Sequence, residues 1–458
     1  MTQPEMMAIG DSLYQGVRSM TIRGDLCATS VPAQVARCLG WGEFVSPDPA
    51  YPMIIDPEAW LRDPGQINPD LASHATYWQG EPTSPHGHAT FDNLSVAGSE
   101  VWHLYRYTAD NGRRDAHAQF AKLGGQPLGL GTIAKVELNR LVYGVNARYV
   151  LNPANTPAQN DKTQIGWVAE RRPKRLLVNI GSNNGLWDMC FNGDPATKFY
   201  FGKNYGGHGD PDDFTQIEEL ARALEALPPE IGTIYFNSLG RPRCVPNMMP
   251  CPSQVEWEQH PNDGYFDSYE NRFALSLTYH TCSAAQMQAL DAYVDAVNAR
   301  IRQILQATLK SHRLVFVDLY ALLTAHDSKH YGDVRATIAK EKRIGNTMFE
   351  SDPWGGMAHG GRFGLDGMHP TTVGYAMVAQ EVVAAICRTE GQPEPEIDLD
   401  VVCKDDSLIN HCPGSWTGLM YLWRDIRRAA NPAQMRQKRT TRGLGILDAV
   451  AAARAGAR

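Results

Sequence analysis

The chain has 458 residues, 43% apolar and 20% charged, an ordinary balance for a globular protein able to bury a sizeable core. A formal net charge of −7 and an isoelectric point near 6.1 lack the basic footprint of a typical nucleic-acid binder. No apolar run approaches the roughly twenty residues of a membrane helix, and the start, MTQPEMMAIGDS, has neither the basic segment nor the apolar run of a signal peptide. A soluble, cytoplasmic chain is therefore expected, with export left open should a leader have been removed.

The first apolar run, Met6 to Ile9, reads as a short strand ending in the tight turn Gly10-Asp11-Ser12. A helix follows over Val31 to Leu39, with Ser30 as N-cap, Pro32 in its first turn and Gly40 past its end. Residues 41–92 are rich in Pro, Gly, Asp and aromatics with weak periodicity, which reads as an insertion on the core or over a cleft. Strand character returns at Leu176 to Ile180 after a helical stretch, IGWVAERRPKR, and again at Thr233 to Phe236.

A long helix starts at Ser283, where Ser283 and Gln286 fit a capping box and Leu290, Val294, Val297, Ile301 and Ile304 form one apolar stripe. A strand at Leu314 to Val317 and a last helix from about Thr372 to Ile386 complete the pattern. Strands alternating with helices predict a parallel sheet covered on both faces. Past Glu390 the composition turns Pro- and acid-rich (PEPEIDLD), and residues 421–458 carry nine Arg/Lys against two Asp. That basic end reads as a solvated helix, open to weak contact with an anionic membrane surface. The organisation expected is one main domain over 1–390, with insertions near 41–90, 100–165 and 195–280, and an extension over 391–458.

Nine cysteines are present, most of them isolated, and no CxxC pair signals a zinc ribbon or redox site. Cys244–Cys251 and Cys403–Cys412 are the two short loops that a disulfide would close in an oxidising compartment; in a cytosolic chain they stay reduced.

Four segments carry chemistry, in this order: Gly10-Asp11-Ser12-Leu13 after the first strand, Asn93 to Ser99 (NLSVAGS), Gly181-Ser182-Asn183-Asn184 after a strand, and Asp366-Gly367-Met368-His369-Pro370 before a helix. A serine at a strand end presents its hydroxyl where open α/β sheets place ligands. It needs a base to act as a nucleophile. His369, three residues after Asp366, supplies one, with Asp366 fixing the tautomer. Acyl chemistry also needs oxyanion donors, which the Ser12 and Gly98 N–H groups and the Asn183 amide offer.

Together these blocks resemble the SGNH (GDSL) hydrolase family. The resemblance places Ser12, Gly98, Asn183 and His369 on the four name-giving positions and Asp366 on the third triad position. It implies a three-layer α/β/α sandwich with a flavodoxin-like parallel sheet, here carrying long insertions. The activity implied is that of an esterase or lipase, free of metal and organic cofactor and acting on a small-molecule or lipid-like ester. An acyltransferase or carbohydrate O-deacetylase would use the same residues, whereas a binding module without catalysis would have no need of all three triad groups. The third block has Asn184 where the family usually has Asp, and Gly40 and Gly144 are the alternatives to Gly98.

Trp187 is read as a wall of the acyl pocket. Trp60, Tyr77, Trp78, Trp102, Tyr105 and Tyr107 either shape a pocket or pack the insertion. His86 and His88 read as loop histidines, since the sequence shows no third metal ligand beside them. Asp327 and His330 read as solvated surface, and His208 with Asp210, Asp212 and Asp213 as an acidic turn without EF-hand spacing. Met357, His359 and Phe363 either line the cleft or form a loop.

Overall fold

The computed structural model describes residues 3–192, 194–207, 209–250, 265–271, 280–325 and 362–411, together with residue 426. Four parallel strands form the main sheet: β1 (Met6–Gly10), β2 (Arg175–Asn179), β3 (Thr233–Asn237) and β4 (Arg313–Val317), hydrogen-bonded in that order. On the free side of β1, the extended segment around Asn93 runs parallel. Ala8 N–H donates to Asp92 O, Leu94 N–H to Ala8 O and Val96 N–H to Gly10 O. Counting that segment second in chain order, the lateral order is 2-1-3-4-5. The chain leaves β1 first to one side and then to the other, which puts the topological switch point of the sheet, where open α/β folds place their ligands, at the C-terminal end of β1.

Every residue of β1 is buried because helices cover both faces. Met7 and Ile9 point into a core shared with α3 (Gln164–Arg171), α4 (Thr215–Glu225) and α5 (Ala284–Thr308). Met6 and Ala8, on the opposite face, pack with α2 (Val31–Cys38) and α6 (Thr372–Glu390). This is the side-chain alternation of a strand made visible. The helix α5 begins with the expected reciprocal capping box between Ser283 and Gln286, and its apolar stripe is buried. Ser30 precedes α2 without capping it; its hydroxyl lies 3.3 Å from the Asn93 amide and accepts from it.

The two N-terminal insertions share a third core of their own. Met53, Leu71, Trp78 and Phe91 meet Ala116, Phe120, Leu141 and Tyr149 there. The helices Ala109–Ala121 and Leu138–Leu151 cross where Gly112 and Gly144 face each other; a Cβ on Gly144 would stand 2.8 Å from Ala116 N. The segment 195–280 contributes strands at Met248–Pro250 and Ser268–Asn271, which pair antiparallel with each other, and Ser268–Asn271 pairs antiparallel with Thr281–Ser283 on its other side. After α6, residues up to 411 fold back onto the body. Gln380 holds Pro395 and Ile397, and Asp406 is fully buried. Among the described residues no helix is long and apolar enough to cross a membrane.

Candidate active site

Ser12 is the first residue of α1 (Ser12–Gln15), two positions beyond the C-terminal end of β1. The strand must stop there because Gly10 sits at φ +145°, where a Cβ would lie 2.0 Å from Asn179 O. Asp11 caps α1 through its Oδ1, which accepts from Leu13 N–H. The helix is one turn long, but it leaves the Ser12 N–H at a helix start, free of any protein acceptor among the described residues.

The second and third blocks stand beside it. Gln15 Oε1 accepts from Ala97 N–H at 2.7 Å, which fixes the residue before Gly98. Gly98 is exposed at φ +86° over the Tyr143 ring, and its N–H meets no protein acceptor among the described residues. Asn183 lies on the short turn Ser182–Asn184 after β2. Its amide donates one hydrogen to Ser99 O at 2.9 Å, leaving the other available. Gly98 and Asn183 are therefore neighbours. Gly40 lies beyond the end of α2 and Gly144 is spent on helix packing. Asn184 is buried and bridges the loop to Val101, Tyr200 and Gln216, so an amide does the structural work at that position.

The fourth block is tied to the turn that follows α1, at Ser19 and Met20. The His369 Nδ1–H donates to Asp366 Oδ2 at 2.6 Å, both residues being buried. Asp366 Oδ1 accepts from the Met368 and His369 N–H groups, and Oδ2 also from Met20 N–H at 2.9 Å. Burial alone would raise this carboxyl, but the His369 charge and these N–H groups outweigh it and hold it below the usual carboxylate range. Trp187, half-buried, has its ring centroid 5.9 Å from that of His369. No hydrogen bond joins Ser12 Oγ to the His369 ring among the described residues.

Sequence reasoning missed the groups that hold these blocks together. Ser19 and Met20 occupy left-handed backbone (φ +53° and +64°) in a tight turn closed by Arg18 and Thr21. Non-glycine residues there cost of order 1–3 kcal/mol each. The turn persists because Ser19 Oγ accepts from Leu365 N–H while Met20 N–H binds Asp366. Gln164 clamps both backbone groups of Gly10 and reaches Ser99 Oγ. Across the strand ends runs a polar ladder from Asp11 through Asn179 and Asn237 to Tyr14. Its signal was readable: an Asn ends each apolar strand of LLVN and TIYFN.

Asp11 Oδ2 is buried without a partner, and burial pushes the carboxyl up to about 7, against hydrogen bonds from Leu13 and Asn179 and the His369 charge. The folded protein therefore holds the Asp11 proton more tightly than the unfolded chain. The stability this supplies is complete below the unfolded value near 4 and is lost as pH rises through about 7. Asp11→Asn keeps the Oδ1 contacts and cannot ionise. Its denaturation midpoint should gain on wild type from pH 4 to pH 8, by of order 4 kcal/mol at the upper end. A difference that does not vary with pH would overturn the assignment.

Of the remaining candidates, Trp60 and Trp78 donate to Asp70 and to Pro52 O inside the insertion, and Tyr105 to Glu219, which is ordinary packing. Asp213 caps the approach to α4 by accepting from Thr215. Asp327, His330, His208, Met357, His359, Cys251, Cys412 and the Arg and Lys residues of the basic end lie outside the described residues. No family model, curated protein or solved structure matches this chain.

Proposed function

We propose that this chain is a serine hydrolase of carboxylic esters, working through an acyl-enzyme on Ser12 in a flavodoxin-like sandwich of the SGNH type. One observation supports it above the rest. A hydroxyl, two uncommitted N–H groups, an available amide hydrogen and a carboxylate-bound imidazole, from four separate parts of the chain, gather at the C-terminal end of β1. The 2-1-3-4-5 order favours the same fold.

In this reading Ser12 Oγ attacks the acyl carbon and its proton passes to His369 Nε2. Asp366 is a positioning residue: it keeps Nδ1 protonated and Nε2 bare, and stabilises the imidazolium. The carbonyl oxygen, now an oxyanion, accepts from the Ser12 and Gly98 N–H groups and the Asn183 amide. The bond to the leaving oxygen breaks, and His369 returns the proton to the departing alcohol. Water, deprotonated by His369, then releases the acid and restores Ser12. The open Ser12–His369 gap closes when substrate binds, as catalytic hydrogen bonds often do. Trp187 lines the acyl side.

The test is hydrolysis of p-nitrophenyl esters from acetate to palmitate, combined with trapping by an alkyl phosphonate and peptide mass mapping. Turnover with the phosphonate on Ser12 is the expected result. A label on another residue, or neither turnover nor label, would overturn the reading. An alcohol replacing water in the second half would make the same residues an acyltransferase, and product partition with added alcohols separates the two.

A further inference from the structure

Away from Ser12, on the N-terminal insertion, one carboxylate and two imidazoles converge. His86 and His88 are separated by one residue, a spacing that puts both side chains of an extended chain on one face. Here the chain turns instead, with Gly87 N–H donating to Ser84 O at 3.0 Å and Gly87 at φ +71°. Both rings stand beside Asp48, 38 residues upstream of His86. His86 Nδ1 lies 2.8 Å and His88 Nε2 3.8 Å from Asp48 Oδ2, and the three potential ligand atoms all lie within 4.8 Å of one another.

We propose that Asp48, His86 and His88 form a binding site for a divalent transition metal of the zinc class. Tetrahedral ligands at about 2.0–2.1 Å from zinc stand roughly 3.3 Å apart, so the separations present need adjustments of about an ångström. The exposed His86 beside Gly87 can supply them. Two imidazoles and a carboxylate suit zinc, whereas magnesium and calcium prefer oxygen alone.

The carboxylate is already oriented as a metal ligand should be. Tyr149 O–H donates to Asp48 Oδ1 at 2.7 Å from the buried helix Leu138–Leu151, and Ser84 O–H to Oδ2 at 2.7 Å. Three protein ligands leave a position open. Asp48 and His88 also line a cavity of about 310 Å³ together with Arg37, Glu43 and Phe44. The fourth position thus has room for water or for an anion beside Arg37. The metal would also clip the turn at Ser84–His88 to the segment bearing Asp48.

The inference is independent of ester hydrolysis and is read by binding rather than by turnover. The metal-free full chain is titrated with zinc by calorimetry, and with cobalt by absorption spectroscopy. Losing even an outer-shell partner typically costs about 10–100-fold in affinity. One site should therefore weaken by about tenfold or more in His86→Ala and in His88→Gln, with the far-ultraviolet circular dichroism unchanged. Both substitutions spare Asp48, whose contacts with Tyr149 and Ser84 hold the insertion together. The cobalt spectrum should show no sulfur-to-metal charge transfer. Absence of binding, equal affinity in the variants, or a signal dominated by thiolate ligation would overturn the proposal.

Discussion

Replacing Ser12 by alanine is expected to lower kcat on p-nitrophenyl esters by roughly 10⁴- to 10⁶-fold with the fold intact. The hydroxyl is the only atom group lost, and nothing structural depends on it: Ser12 contributes no side-chain hydrogen bond among the described residues, and Asp11 caps the helix. His369→Ala should fall by a similar factor. The double variant should fall no further, because nucleophile and base act as a unit and their losses do not add. The Ser12 and Gly98 N–H groups and the Asn183 amide remain in all three proteins, so residual turnover above the uncatalysed rate is expected. A Ser12→Ala protein within about tenfold of wild type would remove Ser12 from the mechanism.

The second large effect is on stability. Arg18 is 2% exposed, and its guanidinium is fully committed. Two parallel bonds of 2.8 Å join it to Glu58, and others reach Asp406, Thr372 and Ser407. One side chain thus ties the turn that holds Asp366 to the insertion, to the first residue of α6 and to the segment after residue 390. Arg18→Ala would take from two buried carboxylates, Glu58 and Asp406, the guanidinium nearest to them, with Arg62 standing 3.9 Å from Glu58, a loss of about 3–5 kcal/mol by urea denaturation. A double change of Arg18→Met with Glu58→Leu should recover part of that loss, since removing both charges avoids the desolvation penalty. An Arg18→Ala loss below about 1 kcal/mol would mean that water reaches the cluster and relieves it.

The legible part of the fold was the part with local signals. The run MMAIG ended where only glycine fits, LLVN and TIYFN were apolar enough for strands covered on both faces, and Ser283 with Gln286 marked the start of α5. Asp366 and His369 were readable as a pair because three residues of one turn bring them together. The extended segment at Asn93 was legible as a chemical block but not as a strand, since the strand it pairs with among the described residues is β1, some eighty residues earlier. The weakly periodic 41–92 region hid two helices, because their apolar faces pack against residues 116–149 rather than against the sheet.

His86 and His88 show the limit most clearly. Read alone they were two loop histidines without a third ligand; the fold supplies Asp48 from another part of the insertion. Likewise, no local pattern announced that Arg18, Glu58 and Asp406 share one buried cluster. The sequence by itself determined the four strands of the main sheet, the capped start of α5 and the Asp366–His369 pair, since each depends on neighbours within a few residues. The tertiary structure decided which glycine stands beside Asn183, what holds Asp366, and which charges meet in the interior. Those outcomes rest on contacts between distant residues, whose pairing is set by how the layers pack and not by any local preference.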